Sequence, residues 1–354
     1  MVVVVFILTA QARSTFGPPA PGLSRGQRLI LSARLLADSD QLTNPFDPGQ
    51  PEKDFQVLLG DSPTIISGHL QAQGLIPNAD ALLNYLVYAG LDTTLQAGEY
   101  KLSAGMTPIE IAQVLQDATP KEITFNILPG WRLEEIAEGL PTSGLSITPE
   151  EFLEAARNPP ADAPIRGHLP SGASLEGFMP PGSYQLPRET NVDELVAYLT
   201  NSFIAQLDQE LLEGFAGQGL DLHQAVMLAS IVQREAVVED EMPSIASVFT
   251  KRLEAGMKLE SDPTVQYALG YQEAGGTWWK SPLSLDDLQI NSPYNTYLHP
   301  GLPPGPIANP SLGALRAVAA PASTPYFYFR AACDNSGLHV FAETFEEHLG
   351  NQCP

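Results

Sequence analysis

Cysteine is nearly absent from this 354-residue chain, and the two present, Cys333 and Cys353, lie close to its end. With no histidine pattern beside them they do not make a zinc site. They are either a bridge closing a short loop or a pair of free thiols. Basic charge is scarce as well: Lys and Arg number 18 against 41 Asp and Glu, a formal net charge of −23. Nucleic-acid binding rests on clustered cations that release counterions from phosphate, so that class of partner is excluded, and broad docking on an anionic bilayer is disfavoured on the same ground. Long apolar runs are missing too. The greasiest stretch, from Met1 to Ala10, is shorter than the roughly 20 residues needed to cross a bilayer. It reads as the apolar part of a signal peptide lacking its basic start, as the tail of a membrane anchor, or as a hydrophobic first strand.

What is present suffices for a sizeable core, since 44% of the residues are apolar. Proline, with 32 residues, gathers around 18–21, 43–51 and 300–310, and the stretch TNPFDPGQP over 43–51 reads as a linker. Residues 1–54 are therefore set apart as an apolar N-terminal segment and linker. Over 55–118 the pattern predicts strand, helix, helix, strand and helix: a strand at 55–59, a helix over 64–73 behind Ser62 and Pro63, a helix over 78–89 capped by Asn78, a strand at 98–102, and a helix starting at Thr107-Pro108. A second unit, 119–354, opens with an alternating strand at 122–128 and helices over 133–140 and 148–156, within an α/β part spanning 119–190. From 191 to 354 the chain turns mostly helical and closes on two strand runs, 326–330 and 338–341, joined by a turn at 334–337. The fold class expected is α+β.

The segment 226–241 (VMLASIVQREAVVEDE) is the most informative. Wound as one helix, it puts Leu228, Ile231 and Val232 on one face, and Glu235 continues that stripe. A carboxylate there must be paired, protonated or set in a cleft; in an apolar cleft its pKa rises, which suits a general acid at neutral pH. The ordinary alternative is a core-edge Glu bonded to a neighbouring element. Asp262-Pro263-Thr264 reads as a turn and helix start with Asp262 as N-cap. Tyr294, Asn295, Thr296 and Tyr297, beside the rigid run 301–307 (GLPPGPI), can stack on sugar rings and bond their hydroxyls, or can simply form a structural loop.

Taken in order, the motifs resemble a known family. Ala229-Ser230-Ile231-Val232 with Glu235, Ala246-Ser247-Val248-Phe249 with Arg252-Leu253, Asp262-Pro263-Thr264-Val265, Tyr294-Asn295-Thr296-Tyr297 and the run 301–307 are similar to the MltG (YceG-like) family of endolytic murein transglycosylases. Leu175-Glu176-Gly177 upstream and 324–329 (TPYFYF) downstream extend the match, which covers about 122–350 and more weakly 55–118. The resemblance implies a LysM-like module at 55–118, a catalytic Glu at position 235 and a second acidic position at Glu241. It also implies anchoring in the cell membrane by a single pass, with the catalytic part outside the cytoplasm. The expected partners are peptidoglycan strands and the synthases that make them; no cofactor or metal is expected. Glu176, Glu241, Asp262, Thr264, Tyr294, Asn295, Thr296 and Tyr297 are the candidate substrate-site residues. Glu241, six residues beyond Glu235 on a continuous helix, would stand roughly 9 Å along the axis and point elsewhere, a supporting role. Two positions depart from the family's pattern: Ala236 where Thr is usual, and Gly182 where Asp is. They motivate a second reading, a wall-binding protein without activity. A third is a hydrolase using water, with Glu176 as second carboxylate.

Overall fold

The computed structural model describes residues 2–119, 121–160, 163–334 and 336–353, with the backbone alone over 2–5. The chain is α+β and divides into two compact units, Met1–Lys121 and Glu122–Pro354.

In the first unit three helices, α1 (Val2–Phe16), α2 (Arg25–Ala37) and α3 (Ser39–Thr43), precede β1 (Lys53–Val57), α4 (Pro63–Ala72), α5 (Ala79–Ala89), β2 (Gly98–Leu102) and α6 (Pro108–Val114). Helix starts follow the caps: the side chains of Ser62, Asn78 and Thr107 accept from Ile65 N, Ala81 N and Glu110 N. β1 and β2 pair antiparallel, Phe55 opposite Tyr100. The apolar start is helical, not a strand, and among the described residues no helix is long and apolar enough to cross a membrane.

Residues 25–37, where the sequence pattern assigns no element, form α2. Its signals are a capping box, Ser24 with Gln27, and Leu31 and Leu35 four apart, buried in one core with Leu42, Phe55, Ile66, Leu70, Leu82 and Leu102. The expected linker over 43–51 is tied down. Asp47 N donates to Ala104 O at 2.9 Å and Ser103 Oγ to Gln50 O at 2.6 Å. A proline-rich run reads as a linker because its residues make no regular ladder, yet its carbonyls and amides still find partners.

The second unit runs β3 (Glu122–Ile127), α7 (Leu133–Ser143), α8 (Pro149–Arg157), β4 (Gly182–Pro187), α9 (Val192–Ile204), α10 (Gln209–Gly217), α11 (Leu222–Glu235), α12 (Met242–Glu254), α13 (Asp262–Leu269), α14 (Leu312–Ala319), β5 (Tyr328–Ala331), β6 (His339–Ala342) and α15 (Phe345–Gly350). β3 pairs antiparallel with β4 and β5 with β6; the turn expected at 334–337 includes Asn335, outside the described residues. Cys333 and Cys353 are bridged.

α11 is the centre of this unit. Every residue from Ala225 to Val232 is buried, so the helix is covered on all sides and not along a single stripe. The helix also stops earlier than its pattern suggests. It ends at Glu235; Ala236 is extended, with ψ 121, and a 3-10 turn over Glu239–Glu241 leads into α12. β-branched Val237 and Val238 favour extended backbone, and Pro243 sits in the first turn of α12, where a helix begins and not where one continues. Glu235 and Glu241 therefore do not share a helix, and the axial spacing expected between them does not apply.

Candidate active site

The sequence motifs meet around α11 as scaffolding. Ser230 donates to Met227 O at 2.7 Å and accepts from Ile307 N at 3.0 Å, pinning the run 301–307 to the helix. Gly177 has φ 87, and a Cβ there would stand 2.6 Å from Pro306 and 2.8 Å from Val226; only glycine admits both the conformation and the approach. Its neighbour Glu176 is buried, accepting from Leu133 N (3.2 Å), Tyr267 Oη (3.4 Å) and Asn309 Nδ2 (3.3 Å). Burial, reinforced by Glu134, pushes its pKa up to about 8.

Glu235 is the last residue of α11, half-buried where the helix opens into a cavity of about 420 Å³. Arg252, Leu259, Glu260, Asp262, Tyr297, Phe329, Arg330, Ala331, His339 and His348 complete the lining. Ser261 Oγ donates to Glu235 Oε1 at 2.6 Å. Burial pushes the carboxyl up to about 7; Asp262 adds to the rise, while the Ser261 bond, Arg234 and Arg252 pull against it. Desolvation wins, so a large share of Glu235 holds its proton at neutral pH.

Ser261 is itself immobilised. Its N–H donates to Thr296 Oγ1 at 3.0 Å, its carbonyl accepts from Thr264 Oγ1 at 2.7 Å, and the two threonine hydroxyls lie 2.8 Å apart. Asn295 is buried and donates to Leu288 O and Ile290 O, both at 3.0 Å, while Oδ1 accepts from Tyr297 N at 2.9 Å. Thr264, Asn295 and Thr296, expected as substrate contacts, thus have no free surface. They hold Ser261 and Tyr297 in place. Asp262 is not the N-cap of α13 either; Ser261 occupies that position, and Asp262 Oδ1 accepts from Tyr297 Oη at 2.6 Å. Tyr297 and Asp262 line the cavity. Tyr294 packs on Tyr267 with ring centroids 4.8 Å apart, and neither it nor Glu176 is among the residues lining the Glu235 cavity.

Glu241 reaches the site indirectly. Its oxygens accept from His339 N at 3.0 and 3.1 Å, and Oε2 lies 3.0 Å from His339 Nδ1, fixing an imidazole that lines the cavity. Sequence reasoning missed Ser261, Arg252, Arg330, His339 and His348. Ser261 directly precedes the Asp262-Pro263-Thr264 motif and is overshadowed by Asp262. Arg252 lies inside a motif on α12, and the remaining three come from the C-terminal hairpin and helix, whose packing on the other helices has no local signal. Ala236 abuts the site, whereas Gly182 opens β4, paired opposite Ile127, away from the cavity lining.

The sequence model of the YceG-like family matches residues 55–353. An endolytic murein transglycosylase of Bacillus subtilis is 30% identical over 335 residues, 90% of this chain and 89% of that protein. One from Streptococcus pneumoniae serotype 2 is 27% identical over 310 residues, 80% of this chain and 54% of the relative. The crystal structure of a putative YceG-like protein from Listeria monocytogenes superposes with a TM-score of 0.58 at 28% identity, covering 85% of this chain and 99% of that one. The chain belongs to the YceG-like family.

Proposed function

We propose that the chain is a lytic murein transglycosylase cleaving within glycan strands, between N-acetylmuramic acid and N-acetylglucosamine. The observation that carries the reading is Glu235: a carboxyl raised to about 7 at the end of α11, held by Ser261 in a cavity of the size sugar rings need. In the neutral form Glu235 gives its proton to the glycosidic oxygen, and the bond from that oxygen to muramoyl C1 breaks. The carboxylate left behind takes the proton of the muramoyl 6-hydroxyl as that oxygen bonds to C1. A 1,6-anhydro end results, Glu235 is protonated again, and no water is consumed. One group serves as acid and then base.

A hydrolase needs a second carboxylate free to act as nucleophile or base. The other two that line the cavity are engaged, Glu260 with Arg252 Nη1 at 3.2 Å and Asp262 with Tyr297. Glu176 lies outside the lining, which favours the single-carboxylate route. Glu241 acts as a positioning residue through His339. We assign residues 55–118 to a LysM-like wall-binding module on the β1-α4-α5-β2 order and the antiparallel β1–β2 pair. A site outside the cytoplasm, at the membrane where strands are made, fits the substrate and the Cys333–Cys353 bridge. Cutting nascent strands there would end their elongation. Mass spectrometry of intact sacculi treated with the protein tests the reading: anhydro-muramoyl ends are expected, and reducing ends would overturn it in favour of hydrolysis.

A further inference from the structure

The lining of the Glu235 cavity divides by charge. Its acids, Glu235, Glu260 and Asp262, come from the end of α11 and the segment opening α13; Arg330, His339 and His348 come from β5, β6 and α15. In a chain of net charge −23, the cations of that second set have few competitors. Arg252, the other guanidinium at the cavity, is buried, neutralised by Glu260 and bonded through Nε to Phe327 O at 2.7 Å. His339 faces Glu241. His348 is held below the usual imidazole range by burial and by Arg330 and Arg252. Arg330 differs. It is half-buried, Nη1 donates to His348 O at 3.3 Å, and among the described residues it forms no ion pair with a carboxylate.

A guanidinium held over a sugar-sized cavity without its own carboxylate suits a ligand that brings one, because its planar fork matches carboxylate geometry. Peptidoglycan differs from other glycans with N-acetylated sugars by the lactyl ether on its muramoyl units. The lactyl carboxyl is free on peptide-stripped strands and amide-linked to a stem peptide otherwise, and that stem carries carboxylates of its own. We propose that Arg330 is a specificity-determining residue that recognises a carboxylate of the muramoyl substituent, lactyl or stem, and so distinguishes murein from neutral glycans. The inference rests on the murein transglycosylase reading.

The test measures anhydro-end formation by wild type, Arg330→Gln and Arg330→Lys on three glycans: peptide-bearing strands, amidase-stripped strands, and peptide-bearing strands with carboxyls amidated by ammonia and carbodiimide. Melting curves check that each variant is folded. Arg330→Gln is expected to raise KM about tenfold with kcat little changed, and Arg330→Lys to recover part of the loss. Where a stem carboxylate is the one read, wild type on amidated strands should fall to the level of Arg330→Gln, and the variant should lose nothing further, since the two changes remove one interaction. A loss on stripped strands identifies the lactyl carboxylate; a loss confined to peptide-bearing strands identifies the stem. Equal activity of Arg330→Gln and wild type on every glycan, or the same loss on amidated strands, would overturn the proposal. Strand binding measured in a Glu235→Gln background keeps the question separate from catalysis. Should wild type give no anhydro ends, the activity falls, while a difference in strand binding with and without Arg330→Gln would still decide the carboxylate contact.

Discussion

In the proposed mechanism Ser261 and Glu235 make the pair on which the chemistry turns. The Ser261 bond favours the charged carboxylate and opposes the burial that raises it. Ser261→Ala removes that opposition, so the pKa of Glu235 rises further. Because the acid step needs the protonated form, the fall of kcat/KM on the alkaline side should move to higher pH, a shift visible in a pH–rate profile. An unmoved limb would mean that another group sets it. Glu176 gives a second, independent titration. Its folded pKa, about 8, lies above that of an ordinary carboxyl, so the folded state retains a proton that the unfolded chain has lost. Stability must therefore fall as pH rises from about 4.5 to 8, by a few kcal/mol at most, and level off beyond. Glu176→Gln should flatten that slope in denaturant titrations at pH 5 and pH 8. Of these residues, Glu235 was legible from the stripe and the motif around it. Ser261 was not, because nothing local says that a serine before Asp262-Pro263 will reach a helix end 26 positions earlier.

At the scale of elements, α11 and the β5–β6 hairpin with α15 make the site. The helix was readable from its apolar run, although its end was not: the pattern continues through Val238 while the backbone leaves the helix at Ala236. The hairpin was readable as a hairpin and mute as a cavity wall, since its partner Glu241 belongs to a turn nearly a hundred residues earlier in the chain. Glu241→Ala leaves His339 N and Nδ1 without their carboxylate and should cost about 1–3 kcal/mol of stability, with a raised KM as His339 shifts in the cavity. The Cys333–Cys353 bridge encloses β6 and α15, with a separation of 20 residues. A loop of that length is worth about 3 kcal/mol in the chain-entropy account. Reduction with dithiothreitol should lower Tm and weaken glycan turnover, because His339 and His348 ride on the bridged segment and Arg330 lies just before it.

For the molecule as a whole, each unit has its own buried core. The α+β class, most helix positions and the order of motifs followed from periodicity, caps and turn residues. The helical content of 25–43 escaped because its apolar residues are spaced sparsely among polar ones, and the burial of Thr264, Asn295 and Thr296 was not legible because polar residue type alone does not distinguish a hydroxyl facing solvent from one locked in a buried network. In the proposed mechanism one carboxyl carries both proton transfers. Glu235→Gln keeps the acceptor for Ser261 and removes only the titrating proton, so it should fold with unchanged or higher Tm. Anhydro-end formation from purified sacculi by this variant, set against wild type at neutral pH, is the direct measurement. A loss of at least roughly a hundredfold is expected; undiminished product from the folded variant would contradict the single-carboxyl mechanism.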